Sequence, residues 1–262
     1  MDTCENTYIS DTLTHFVGRG RPEEEQFGLL LDILKQMKLL SKDHQESLRQ
    51  IAEGMPDDPS KRLSLDECRP SLSVARSEKL SSNNKYLANV VCFCDIPREC
   101  LGIHMKKYSP FGVSFHKDFM VRCGASPVFY IEKNSLNPAS QQKLSERFDI
   151  EETQLVKMFE QIFIEAADEE PQPSRLMASD FDRIRNFLEF YVFSYCRFFD
   201  SSLDGCDIDN VYFEREWRVY SRVAFEVADL SAVIAPKKFQ VRIVEAFPQV
   251  EFVSAESCGY SV

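Results

Sequence analysis

The stretch TLTHFVG, residues 12–18, opens the regular structure of this chain and decides how the rest of the sequence is interpreted. We expect residues 10–17 to form a strand that ends at the turn GRGR, residues 18–21. A lone histidine on an apolar strand, such as His15, is more often a core residue, but strand ends and the loops after them are where scaffolds meet ligands. His15 is open to both interpretations. Arg19, in the turn, is either a solvated loop residue or a phosphate ligand.

The composition favours one globular domain over residues 1–262, because 44% hydrophobic and 28% charged residues suffice for a sizeable core. Acidic residues outnumber basic ones by 42 to 31, which gives a net charge of −11. This charge repels phosphate backbones and anionic membranes, so we expect a basic protein as partner, with no nucleic acid and no membrane. The polar start MDTCEN lacks the pattern of a secretion signal, and we expect a cytoplasmic protein.

Hydrophobic patterns predict an α+β fold, a single domain with a mixed or split β-sheet flanked by helices. A first helix is expected from Pro22 to about Leu40, and residues 54–85 are polar enough to form a long loop with one short helix. We predict strands at 86–94, 111–115, 128–131, 211–220, 231–235 and 249–254. We predict helices at 95–108, 117–123, 138–167 with a break near 148–150, 178–199 and after Pro236. The aromatic residues of the helix at 178–199 are predicted to pack in the interior.

A metal site would need the ligands Cys92, Cys94, Cys100 and His104, which fall within 13 residues. Cys92 and Cys94 alternate with apolar residues on the predicted strand, as two small buried side chains would, and no second CxxC pair completes a four-ligand set. We therefore predict no metal. His104 is expected on the surface of its helix, and all nine cysteines are expected as reduced thiols.

The strongest local signal for chemistry is FEREWRVY, residues 213–220. Because side chains alternate along a strand, Glu214, Glu216 and Arg218 are predicted to share one face. One interpretation is a ladder of surface ion pairs beside a buried Trp217, each contributing little to stability. The other is a carboxylate that arginine positions to polarise a substrate hydroxyl or to stabilise developing positive charge.

Six segments together resemble the AbiGi family of bacterial abortive-infection proteins. They are LTHFVG at 13–18, then FGLLLDIL, VCFCDIP, HMKKYSPFGVSFHK and PVFYI, and finally EREWR within 213–220. The resemblance implies phage defence by an antitoxin, without a cofactor. Its protein partner would be a cognate toxin similar to nucleotidyltransferases, or a phage-derived trigger.

The order of elements also resembles, more distantly, ADP-ribosyltransferase folds, including the DarT-like toxins. That resemblance implies a different function, an NAD-dependent effector enzyme. In it His15 would hold a ribose hydroxyl of NAD, and Phe93 or Tyr108 would stack on nicotinamide. Glu216, assisted by Glu214, would stabilise the oxocarbenium-like transition state.

Overall fold

A computed structural model describes residues 10–41, 71–168, 173–204, 207 and 209–261. The chain separates into two compact units that interleave in sequence. Unit 1 comprises Met1–Pro70, Asn89–Pro127 and Gly205–Val262, and unit 2 comprises Ser71–Ala88 and Val128–Asp204. The extent of a single domain over 1–262 stays a prediction.

Helices and strands alternate through both units. The described residues contain the helices α1 (Glu23–Gln36), α2 (Gly102–Lys107), α3 (Lys117–Arg122), α4 (Leu144–Asp168), α5 (Pro173–Phe187) and α6 (Gln240–Ala246). They contain the strands β1 (Thr12–Phe16), β2 (Lys38–Leu40), β3 (Leu72–Val74), β4 (Tyr86–Ala88), β5 (Val90–Cys94), β6 (Gly112–His116), β7 (Ser126–Pro127), β8 (Phe129–Glu132), β9 (Cys196–Phe199), β10 (Glu216–Tyr220), β11 (Arg222–Ala224), β12 (Leu230–Ala235) and β13 (Phe252–Ser254). No helix in this described part of the chain is long and apolar enough to cross a bilayer.

Unit 1 is built on a seven-stranded sheet in the order β13-β12-β6-β1-β5-β10-β7. Neighbouring strands are antiparallel except for the parallel pair β12 and β13, so the sheet is mixed. β1 lies in the middle of this sheet, which explains why both of its faces carry buried residues. The predicted α+β class, with a mixed sheet flanked by helices, is confirmed.

Helix α1 supplies much of the core on one face of this sheet. Its first turn carries three glutamates, which favour the positive end of the helix dipole, and Phe27, Leu30 and Leu34 are buried. The helix ends at Met37, whose φ of 50° is left-handed, and not at Leu40 as predicted. The chain reverses there because β2 pairs with β11.

Unit 2 has its own core around Leu80, Tyr86, Cys196 and Phe198. Parallel β8 and β9 form one small sheet, and antiparallel β3 and β4 form another. The Glu152 carboxylate of α4 accepts hydrogen bonds from the Tyr86 hydroxyl and, at 2.7 Å, from Lys85 Nζ. Burial, followed by this hydrogen bond, raises the pKa of Tyr86 and keeps the phenol neutral.

Two predicted strands and one predicted loop have different limits in the structure. The strand predicted at 86–94 is wrong as one element, because β4 lies in unit 2 and β5 in unit 1. The strand predicted at 211–220 begins only at Glu216, after a 3₁₀ turn at Val211–Glu214. Of the loop predicted at 54–85, residues 54–70 lie outside the described residues, and the remainder contains β3 and a 3₁₀ turn.

The helix predicted at 178–199 is wrong in its second half. α5 ends at Phe187, a π-helical turn follows at Leu188–Val192, and after a 3₁₀ turn the chain becomes β9. β9 pairs with β8, a distant segment, and this pairing replaces the helix. The aromatic residues were predicted to be interior, but Phe187 is 57% and Tyr191 56% exposed.

Two further helices differ from the sequence prediction. The helix predicted at 95–108 begins only at Gly102, and the carboxylate of Asp95, before it, pairs with Lys117 Nζ at 2.9 Å. The helix predicted at 138–167 begins at Leu144, and the break predicted near 148–150 is wrong, because the helix continues through these residues to Asp168.

We predict that Gly102→Ala destabilises the protein, because a Cβ at this position would lie 2.3 Å from the carbonyl oxygen of Gly259. Such a collision with backbone costs about 1–3 kcal/mol of unfolding free energy, measurable by denaturant titration. The matched control is Gly28→Ala in α1, where nothing lies within 4 Å. That change is expected to leave stability unchanged or to raise it by about 0.5–1 kcal/mol. Equal stabilities of the Gly102 variant and the wild type would contradict the packing described.

Candidate functional site

The pairing of the strands places His15 and Glu216, on which the NAD-dependent enzyme hypothesis depends, on opposite faces of the sheet. Thr14 and Glu216 both pair with Cys94, so these three side chains project from the same face. His15 follows Thr14 directly and therefore projects from the opposite face, with Phe93. His15 and Glu216 cannot line one shared cleft. We call the two sides the His15 face and the Glu216 face.

The surroundings of His15 are those of a core residue. Its Nδ1 lies 2.8 Å from the carbonyl oxygen of Cys92, to which it donates a hydrogen bond, and its ring centroid lies 5.7 Å from that of Phe93. Burial, partly offset by that hydrogen bond, lowers the pKa of His15 and favours the neutral imidazole. His15 is partly buried beside the main hydrophobic cluster that contains Leu13 and Phe93.

Three other predicted site residues, Glu214, Tyr108 and Arg19, lie together on the Glu216 face of the sheet, which α2 covers. Glu214, 5% exposed, lies in the turn before β10, and its Oε1 accepts hydrogen bonds from Lys107 Nζ at 2.6 Å and from the Tyr108 hydroxyl at 2.7 Å. The Arg19 guanidinium lies 5.2 Å from the centroid of the Tyr108 ring. The structure therefore brings together Glu214, Tyr108 and Arg19, three of the six predicted residues, with Glu216 on the same face. Lys107, which was not predicted, neutralises the carboxylate.

The left-handed backbone conformation of Arg215 interrupts the extended chain between Glu214 and the start of β10. Arg215 has a φ of 45°, in the left-handed region, which costs a non-glycine residue about 1 kcal/mol or more. Its carbonyl oxygen accepts a hydrogen bond from the Asp95 amide at 3.1 Å, and its guanidinium lies 3.6 Å from the Asp95 carboxylate. Glu214 is thereby turned out of the alternation that the sequence predicted and into contact with Lys107.

The second carboxylate, Glu216, is held by its neighbour on the same face. Arg218 Nε donates to one oxygen at 2.7 Å, and a terminal guanidinium nitrogen donates to the other at 3.2 Å. The Glu216 side chain is 8% exposed and the Arg218 side chain 12%, so the pair is buried and does not form the surface ladder that one of the two interpretations gave. Each of the two glutamates is engaged by a cation, which makes this cluster a closed polar core.

His104 was predicted on a helix surface, but it is 2% exposed. Its ring lies 4.8 Å from that of Phe213 and stacks on Phe16 at 6.3 Å. Neither ring nitrogen has a hydrogen-bond partner among the described residues. Burial, and then the charge of Lys107, lowers the pKa of His104 to about 4. The imidazole is therefore neutral at pH 7 and unsatisfied.

The cysteines and the surface cavity do not add to this cluster. Cys94 is buried, and burial raises the pKa of its thiol, whereas Cys92 and Cys100 are exposed. No three His, Cys, Asp or Glu side chains of the described residues could together hold a metal ion. Cys4, Cys68 and Cys206 lie outside the described residues.

A cavity of about 280 Å³ contains none of the predicted site residues and is lined by His116, Asp118, Phe119, Arg122, Ala228 and Asp229.

We predict that His104 makes the protein less stable in mild acid. Below pH 6.5 the unfolded chain binds a proton at this histidine, while the folded chain does not until about pH 4. Stability is therefore lost as pH falls between these values, at up to about 1.4 kcal/mol per pH unit. The His104→Leu variant should lack this pH-dependent loss of stability when unfolding free energies are measured from pH 7 to 4.

A non-titrating surface residue provides the control, since Val121→Ala, at 53% exposure, should keep the wild-type pH dependence. If His104→Leu showed the same loss of stability in acid as the wild type, the buried neutral imidazole described above would be excluded.

Comparison with known proteins gives one match. The family model described as "Putative abortive phage resistance protein AbiGi, antitoxin" matches residues 71–243. Neither the curated proteins nor the solved structures contain a match to the chain, so the likeness to ADP-ribosyltransferase folds gains no support. The matched range includes β5, α2 and the Glu214–Arg218 segment, and the likeness of residues 13–70 stays a prediction. With well over half of its length matched, the chain belongs to the AbiGi family of abortive phage resistance proteins.

Proposed function

We propose that the chain is a protein-binding antitoxin that holds a cognate toxin inactive in the cytoplasm until phage infection releases it. The family match over residues 71–243 is the observation that carries this proposal. The resemblance of the sequence to AbiGi proteins implies a toxin similar to nucleotidyltransferases, and the proposal adopts that partner.

The charge of the chain supports a partner of this kind. A protein that handles nucleotides needs basic side chains for phosphate, and a chain with a net charge of −11 is complementary to such a surface. Electrostatic complementarity speeds association and selects against acidic competitors. Binding of nucleic acid by the antitoxin itself is disfavoured by the same charge.

The geometry of the sheet favours binding over NAD chemistry. An ADP-ribosyltransferase would need His15 and Glu216 in one cleft, but they project from opposite faces. Glu214 is hydrogen-bonded by Lys107 and Tyr108, and Glu216 is held on both oxygens by Arg218. The proposed function therefore includes no cofactor.

The proposal predicts neutralisation of a toxin in growing bacteria. The proposal predicts that a nucleotidyltransferase-like toxin is encoded next to this gene. This toxin should stop growth when expressed alone, and co-expression of this chain should restore growth because the two form a complex. Colony counts measure the neutralisation, and size-exclusion chromatography of the mixed purified proteins measures the complex. An acidic protein of similar size and net charge serves as control and should not restore growth.

Two outcomes would overturn the proposal. One is growth arrest that persists when both proteins are soluble and present in equal amounts. The other is consumption of NAD by the purified chain that is lost in Glu216→Gln without a change in melting temperature, since that result would identify a catalytic carboxylate.

A further inference from the structure

Unit 2 exposes three large apolar side chains along one side of α5 and the π-helical turn that follows it. Ile184 is 47% exposed, Phe187 57% and Tyr191 56%. Spacings of three and four residues place neighbouring side chains on one side of a helix. The ring centroids of Phe187 and Tyr191 are indeed only 5.9 Å apart. We call Ile184, Phe187 and Tyr191 the aromatic stripe.

The backbone beneath the stripe has an uncommon form. The π-helical turn spans Leu188–Val192, and such turns occur mostly as single interruptions of α-helices, frequently at functional sites. Within this turn Glu189 is buried while Tyr191 stays outside. The turn thus separates a buried anion from an exposed aromatic residue two positions later.

Several contacts hold the stripe in place. Glu189 accepts a hydrogen bond from Arg185 Nε at 3.0 Å, and the Ser194 hydroxyl donates to the carbonyl oxygen of Phe190. On α5 itself, Phe181 packs against Phe159 of α4 with ring centroids 6.3 Å apart. An exposed aromatic residue on a fixed backbone loses little conformational entropy when it binds a partner, which is the property of an interface anchor.

The segment that carries the stripe is net negative. Residues 180–189 contain three acidic and two basic side chains. The two basic residues, Arg183 and Arg185, are paired with Asp180 at 3.4 Å and Glu189 at 3.0 Å. The third acidic residue, Asp182, accepts a hydrogen bond from the amide of Asn186 at 3.3 Å and keeps its negative charge.

We propose that the aromatic stripe is the toxin-docking surface, and that it inserts into an apolar groove rimmed by the basic residues with which the toxin binds phosphate. This inference rests on the proposed antitoxin function. The apolar side chains supply the binding energy, and the net negative charge of residues 180–189 complements the basic rim. The toxin is inhibited because its phosphate-binding residues are covered.

The test measures the affinity of the full-length chain for the neighbouring nucleotidyltransferase-like protein by calorimetry. Phe187→Ala should raise Kd about thirtyfold, as loss of a central aromatic anchor does, and Phe187→Asp should raise it further. Both variants should keep the wild-type melting temperature, because the side chain is largely exposed. Raising the salt concentration should weaken the wild-type complex.

The control variant is Phe129→Ala, which removes another exposed phenylalanine of unit 2, on β8, at 51% exposure. Its Kd should equal that of the wild type. If Phe187→Asp binds and neutralises the toxin as the wild type does, the docking surface is wrong while the antitoxin function stands. If the wild type itself does not bind, both proposals fall.

A second copy of this chain is the other occupant that the stripe could accept. Light scattering separates this case from toxin docking. A dimer that Phe187→Asp converts to monomers, with toxin affinity unchanged, would assign the stripe to self-association and overturn the proposal.

Discussion

The buried carboxylate of Glu214 is the constraint on which the arrangement of unit 1 depends. It ties the turn before β10 to the end of α2, because Lys107 and Tyr108 donate to the same oxygen at 2.6 and 2.7 Å. A carboxylate that is 5% exposed must be neutralised in this way, since an unpaired buried charge costs several kcal/mol. The left-handed backbone of Arg215 is the local consequence of turning this side chain inward.

The same pairing supports the proposed binding function. A carboxylate that acts on a substrate must meet that substrate, whereas Glu214 and Glu216 each meet a cation of the protein itself. This member of an abortive-infection family thus has a closed polar core in unit 1, and in unit 2 a helical segment with exposed aromatic residues and a net negative charge. These features suit a protein that works by binding another protein.

Local patterns predicted a strand at 10–17, which the structure has at Thr12–Phe16, and the apolar stripe of α1, because apolar spacing within one element reports directly on burial. They could not predict the face on which His15 lies relative to Glu216, since that depends on the register of β1, β5 and β10 across some 200 residues. Nor could they predict that the helix at 178–199 ends at Phe187, because pairing of β9 with β8 overrides local helical preference. Because the end of this helix was not predicted, the exposure of Phe187 and Tyr191 was not predicted either.

A double-mutant cycle on Glu214 and Lys107 tests the closed polar core most directly. Unfolding free energies would be measured for Glu214→Gln, Lys107→Met and the double variant. Each single change should cost about 3 kcal/mol because it leaves one buried polar or charged partner unsatisfied, and the double variant should recover about 2 kcal/mol of the summed loss. Losses that simply add, with Glu214→Gln as stable as the wild type, would contradict the account, since the carboxylate would then be available to a ligand.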